Sequence, residues 1–392
     1  MINIAIDGFP VLKVKGGIGY YIDSIIGQFA NQHNDDVRLY IYLPSNYYLD
    51  NKTLSTHNNV IIMRMPLLIK SEIIWSIICV PLLILFTNPD IFLGMSQYVP
   101  LLRIKKVKYC LFVHDYAYKI FPESLRIYRR LFLRLLMPRF LKLSDIIVFN
   151  SNATMDRLKS VYPNIWFKAK RCILIPPIRD IIVKTVQVNT FSNNPPSAPS
   201  SQLALNSITD YVFTLSPLEP RKNVPLLIYS YCSFLDLYGP NSAYDLVLAG
   251  SDGWNSQSSQ TAIDYIVKRY PAKFHKFGFI GDELYIQLLL SAKACLFLSE
   301  YEGYGMTVAE SLSCCADTFY TDIPEHIEAA KSRGYPVKLD RIASYLPEIF
   351  HKDSSLKFNQ SKSLANCIEY EETRCNQFTH FFDTIILLCQ NI

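Results

Sequence analysis

Glycine is scarce in this 392-residue chain, at 14 residues, while tyrosine and phenylalanine are plentiful at 26 and 23. Charged residues reach only 19% against 50% hydrophobic ones, which excludes disorder as a description of the whole. The net charge of +5 is too small to argue for nucleic acid. The ten cysteines form no framework: the one close pair, Cys314-Cys315, is adjacent, which suits neither a C-x-x-C redox motif nor a zinc knuckle. Reduced, mostly buried thiols in a cytosolic protein are expected. The opening M-I-N-I-A-I-D carries no basic segment ahead of an apolar one, so no signal peptide is expected. A bilayer-spanning helix needs roughly 20 apolar residues. The strongest candidate, Ile73 to Phe86, has 14, is broken by Pro81 and is bounded by Glu72 and Asp90. A buried helix or a membrane-facing surface is expected there.

What is present centres on Ser299 to Glu325. An apolar run, Ala294 to Leu298, is short enough for a buried strand. Gly303 and Gly305 then allow a tight turn and a close approach to a ligand. A helix pattern begins near Thr307. Strand, glycine-containing loop and helix start together make an anion site, because N–H groups and the positive helix end point at the loop. Glu302 and Glu310 flank it. A carboxylate repels phosphate but accepts hydrogen bonds from sugar hydroxyls, so the pairing points to a ligand with both. A plainer reading stays open: Thr307-x-x-Glu310 also fits a capping box, and Glu302 an ordinary loop acid.

Alternating strands and helices argue for doubly wound parallel sheets. Strands are expected at Met1–Ile6, Val37–Leu43, Val60–Met63, Lys108–Val113, Asp145–Asn150 and Arg171–Pro177, and again at Tyr211–Ser216 and Asp245–Gly250. His114-Asp115 follows the fourth of these, at the carboxyl end where open parallel sheets bind ligands. Arg221-Lys222 follows Tyr211–Ser216, and two cations at a helix entry suit a diphosphate. Gly16, Gly17 and Gly19 do not form G-x-G-x-x-G, so no nicotinamide site is expected. Between Arg103 and Lys142 eleven Lys/Arg face two acids. There Arg126, Arg129, Arg130 and Arg134 are expected near one helix face with Leu, Ile and Phe on the other. Such a helix fits an anionic membrane surface, or simply a solvated face over a core stripe; nucleic acid is a weaker third choice, since no recognised module accompanies the charge.

The stretch E-G-Y-G-M-T-V-A-E-S resembles the E-x7-E signature of retaining GT-B glycosyltransferases of family 4. Gly16-Gly17, V-H-D with Pro122-Glu123, and R-K-N at Arg221 to Asn223 recur in the family's order, and the likeness covers most of residues 1–330. The resemblance implies a GT-B α/β protein, two Rossmann-like domains facing a central cleft. The domains would be 1–182, for the acceptor, and 210–370, for the nucleotide sugar, joined by a linker at 183–209. Residues 371–392 would form a helix returning to the first domain. It implies transfer of a hexose with retained configuration and without metal or cofactor, from GDP-mannose or a UDP-sugar. His114, Glu302, Arg221 and Lys222 would act in catalysis. Gly16, Gly17, Arg221, Lys222, Gly303, Tyr304, Gly305, Met306, Thr307 and Glu310 would hold the donor, while Asp115 and the four arginines would face acceptor or membrane. The nearest features are those of mannosyltransferases building bacterial surface polysaccharide on a glycan or polyprenyl-linked acceptor, cytoplasmic or peripheral on the inner membrane face. Two positions depart from the pattern: Cys315 stands where Gly is common and Asp317 where Pro is common. Asp317 near a phosphate would repel it, so a non-catalytic partner-binding relative is an alternative, as is a sugar-nucleotide epimerase.

Overall fold

The computed structural model describes residues 1–9, 17–32, 37–45, 58–65, 71–104, 106–166, 168–191, 208–314, 316–354 and 361–390. The chain divides into two units: Met1–Lys119, Ile127–Pro177 and Glu372–Ile392 form the first, Ile120–Arg126 and Ile178–Glu371 the second.

In the first unit, β1 (Ile2–Asp7), β2 (Val37–Pro44), β3 (Val60–Met65), β4 (Ile91–Gly94), β5 (Lys108–Val113), β6 (Ile146–Phe149) and β7 (Lys170–Ile173) form a parallel sheet, ordered β3-β2-β1-β4-β5-β6-β7. Its helices are α1 (Gly17–Gln32), α2 (Glu72–Ile74), α3 (Val80–Thr87), α4 (Ala117–Ile120), α5 (Ile127–Leu143) and α6 (Asn152–Val161). Strand order reverses at β1. Crossovers between parallel strands are right-handed, so the β1-to-β2 connection lies on one face and the β3-to-β4 and β5-to-β6 connections on the other. Packing agrees. Ile4, Ile6, Leu39, Ile41, Phe112 and Val148 join Ile22, Ile26 and Phe29 of α1 in one core cluster. From the opposite face, Asp7 accepts a hydrogen bond from Trp75 Nε1 (2.8 Å) and the Tyr42 hydroxyl meets Thr87 of α3.

The apolar run from Ile73 to Phe86 is helical: α2, a π turn over Trp75–Cys79, then α3 with Pro81 in its first turn, where proline is tolerated. Among the described residues no helix is long and apolar enough to cross a membrane.

The second unit repeats the plan. Strands β8 (Tyr211–Leu215), β9 (Asp245–Ala249), β10 (Phe274–Phe277), β11 (Ala294–Phe297), β12 (Thr318–Thr321) and β13 (Tyr335–Val337) are ordered β10-β9-β8-β11-β12-β13, all parallel. Helices α7 (Asp180–Phe191), α8 (Val224–Tyr238), α9 (Gln257–Arg269), α10 (Asp282–Ser291), α11 (Met306–Ser313), α12 (Pro324–Ala330) and α13 (Ile342–Phe350) follow. The stretch expected as a linker at 183–209 begins inside α7, and its polar, Pro/Ser-rich part, 189–202, lies outside the described residues from 192 onward. The last helix, α14 (Ser361–Gln390), is far longer than the run Phe378 to Leu388 suggests. Phe378, Phe381, Phe382 and Ile385 enter the same cluster as α1, with Phe378 edge-on to Phe29 at 5.1 Å.

Candidate functional site

Strand order in the second unit reverses between β8 and β11. The loops after those two strands therefore meet at a topological switch point, where open α/β sheets hold ligands. A small crevice there is lined by Thr214 to Ser216, Lys222, Phe297 and Ser299 among others. After β8, Pro220–Lys222 makes a single 3-10 turn, and Asn223, with φ 54°, reverses the chain into α8. Both cations are thereby carried on one short, rigid turn. The turn is stitched to the loop after β11: Arg221 O accepts from Glu300 N (2.8 Å), and Arg221 Nη1 donates to Tyr301 O (3.2 Å).

Glu302 sits at the centre, only 8% exposed. It accepts from Arg221 Nη1 (2.6 Å), Lys222 Nζ (2.5 Å) and Ser299 Oγ (2.7 Å). Burial alone would raise its pKa, but Lys222, Arg221 and the nearby His326 together hold the carboxyl well below the usual range. Glu302 is thus a fixed anion clamping two cations. Arg221 also reaches Glu219 (2.9 Å).

Helix α11 begins at Met306, and Gly305 stands at its cap, two residues before Thr307. Gly305 has φ +106°, and a Cβ there would lie 2.9 Å from the His326 ring. Glycine is required on both counts. Met306 and Thr307 start the helix beside the clamp, so its positive end adds to the two cations. Tyr304 turns inward, buried against Tyr370.

Glu310 is not a capping residue. It is 1% exposed, accepts from the Tyr285 hydroxyl (2.8 Å) and lies 3.1 Å from Arg179 Nε, off hydrogen-bond alignment. Arg179 also pairs with Asp282 (3.1 Å) and covers the Tyr285 ring at 4.3 Å. Burial raises the Glu310 pKa, against the pull of Arg179 and Tyr285. The two glutamates of the motif thus have separate partner sets.

Asp317 does not face the phosphate position. It precedes β12, and its carbonyl accepts from Cys295 N at the start of β11, the end of the sheet opposite the clamp. Its carboxylate accepts from Tyr335 (3.3 Å). The expected repulsion therefore has no structural basis. Cys315 and Gly16 lie outside the described residues, and Gly17 is the first residue of α1.

In the first unit, His114 follows β5 directly, at its carboxyl end as expected. It is buried, its Nε2 lies 2.7 Å from Met95 O, and its ring is edge-on to Tyr21. Burial lowers its pKa, so the ring is neutral and Nε2–H donates to that carbonyl. Asp115 accepts from Ala117 N (2.9 Å), a local turn. The four arginines do not share a face. Arg126 precedes α5, groups with the second unit and lies 5.3 Å over Trp254. Arg129 pairs with Glu72 (2.5 Å), Arg130 is half-buried, and Arg134 is exposed. Both sides of α5 carry apolar residues, so its sequence did not reveal which side was the core.

Sequence reasoning missed Ser299, Arg179 and His326. His326 follows the D-I-P-E run and is fully buried. Its Nδ1 lies 3.2 Å from Thr321 O, while Nε2 has no hydrogen-bond partner among the described residues. Burial, with Lys222 and Arg221 adding to it and Glu302 opposing, takes its pKa down to about 4, so it is neutral. A histidine behind a glycine-capped helix start, next to two cations, leaves no signal in sequence spacing.

Two Rossmann-like units, the second with two cations and a buried glutamate at its switch point, define a GT-B fold. Residues 200–338 match the family described as Glycosyl transferases group 1. The O-antigen chain mannosyltransferase B of Escherichia coli is 24% identical over 174 residues, 43% of this chain and 44% of that one. The match therefore spans under half of that relative's length. Among solved structures, Anabaena HepE in complex with UDP and glucose aligns over 98% of this chain and 99% of its own, with TM-score 0.63 and 13% identity. Sucrose-phosphate synthase of Thermosynechococcus elongatus aligns over 99% and 100%, with TM-score 0.65 and 12% identity.

Proposed function

We propose that the protein is a retaining glycosyltransferase that moves a hexose from GDP-mannose or a UDP-sugar to a glycan acceptor, in the synthesis of a surface polysaccharide. The observation that carries this reading is the clamp of Arg221 and Lys222 on Glu302, beside the start of α11 at the switch point. Breaking the bond between the anomeric carbon and the diphosphate oxygen leaves negative charge on the diphosphate. Arg221, Lys222 and the α11 start stabilise that charge where it develops. Glu302 fixes both cations in position beforehand and offers its remaining acceptor capacity to sugar hydroxyls. Glu310, with one oxygen on Tyr285 and the other beside Arg179, keeps lone pairs for ribose hydroxyls. The leaving diphosphate oxygen takes the proton of the attacking acceptor hydroxyl, so no separate base and no metal is required. His114, neutral and held by Met95 O, stands at the carboxyl end of β5, where the glycosyltransferases that this chain resembles carry a histidine for the transferred sugar. A polyprenyl-linked acceptor would bring the first unit to the inner face of the cytoplasmic membrane.

The test is transfer of labelled mannose or glucose to polyprenyl-linked and to soluble glycan acceptors in EDTA, with the anomeric configuration of the product read by NMR. Product with inverted configuration would overturn the retaining mechanism. Conversion of the nucleotide sugar without an acceptor would make the protein an epimerase.

A further inference from the structure

The helical run from 72 to 87 is apolar all round, a pattern that normally marks a fully buried helix. Here only one side is buried, by Trp75, Cys79, Val80, Leu83 and Ile84. The other side exposes Ile74, Ile78, Leu82, Leu85 and Phe86, with Phe86 80% and Ile78 52% accessible. Their spacing of three and four residues makes one continuous stripe.

Helix α5 repeats the arrangement. Leu133, Met137, Phe140 and Leu141 form its buried side, and Ile127, Leu131 and Leu135 its exposed one, with Leu135 72% accessible. At 100° per residue, Lys142 lies on that exposed stripe, while Arg134 and Arg139 border it on either side. All three are exposed. Both helical segments lie on the same face of the first sheet, as right-handed crossovers require. Their N-terminal turns are joined by the Arg129–Glu72 pair at 2.5 Å. That pair neutralises Glu72, so among the described residues the two exposed stripes carry no other acid, and the cations lie along α5.

We propose that the outer faces of α2–α3 and α5 form one docking surface that seats the first unit on an anionic lipid bilayer. Apolar side chains in line, flanked by Arg and Lys and free of carboxylates, match the acyl boundary and the headgroup charge together. A second copy fits less well, because a twofold contact would set the same cations against each other. The role of the surface in bringing the enzyme to a lipid-linked acceptor rests on the glycosyltransferase reading; the surface itself does not.

The experiment is co-sedimentation of the full chain with phosphatidylglycerol/phosphatidylcholine vesicles and with phosphatidylcholine alone, at low and high salt. Sedimentation velocity and calorimetric titration with UDP and GDP run beside it. Binding to the anionic vesicles, weakened by salt, is expected. I78S/L82S/F86S and L131S/L135S should each lose it, and R134E/K142E should weaken it at least roughly tenfold, all three keeping the wild-type circular dichroism and nucleotide response. Failure of the wild type to bind, or binding indifferent to lipid charge and salt, would overturn the proposal. So would a concentration-dependent dimer that I78S/L82S/F86S abolishes, since the stripe would then be a self-association face. Vesicle binding without affinity for either nucleotide would keep the surface and discard the glycosyltransferase reading.

Discussion

Replacing Glu302 by Gln separates the carboxylate's structural work from the ligand's. The carboxylate accepts three hydrogen bonds, two from cations whose side chains are only 18% and 11% exposed. Removing one partner from a buried pair costs about 3–5 kcal/mol, because the remaining charges are left uncompensated. Partial exposure screens some of that, so about 2–4 kcal/mol is expected here. For a unit of this size that is a fall in its melting temperature of roughly 5–15 °C. A nucleoside diphosphate would supply the missing negative charge to Arg221 and Lys222. The variant should therefore bind UDP or GDP at least as tightly as the wild type and gain more thermal stability from it, while sugar transfer drops. Paired thermal-shift and calorimetric titrations read all three quantities. Loss of nucleotide affinity in E302Q, with the fold intact, would refute the clamp.

Other consequences follow from the same contacts. Arg179→Met should leave Glu310 buried without its cation, raise the Glu310 pKa further and weaken nucleotide binding by about tenfold, as read by titration at pH 6 and pH 8; unchanged affinity would detach Glu310 from the ribose. His326 has a folded-state pKa of about 4 against a usual 6.5, so its contribution is full above 6.5 and lost as pH falls toward 4. In H326Q the melting temperature of the second unit should lose that slope. Asp7 runs the other way. Burial outweighs its bonds from Tyr98 and Trp75 and lifts it from 3.8 to about 6, so stability is full below 3.8 and falls as pH rises to 6, by about 3 kcal/mol. Asp7→Asn should abolish that decline in the first unit, seen in denaturant midpoints between pH 4 and 7.

The strands were legible because parallel strands are buried on both faces and read as short apolar runs; Lys108–Val113 was located to the residue. The two cations and Glu302 were legible because each follows a short apolar strand, which places them at the carboxyl end of the sheet. Contacts that depend on distant residues were not. Glu310 meets Arg179 from far along the chain, and nothing between them marks the pair. Asp317 looked close to the anion site because it follows the motif by a few residues, yet the chain had crossed to the other end of the sheet before β12 began. In α5 and in the run from 72 to 87, apolar residues surround the helix. Periodicity then identifies two stripes without saying which one the core takes.

The most direct measurement is calorimetric titration of the purified protein with UDP and with GDP in EDTA, beside Lys222→Ala. Micromolar binding of one nucleotide, weakened at least roughly tenfold in the variant, is the expected result and would also choose the donor class. Binding of neither nucleotide by the folded wild type, or binding indifferent to Lys222, would contradict a donor-phosphate site at the β8–β11 switch point.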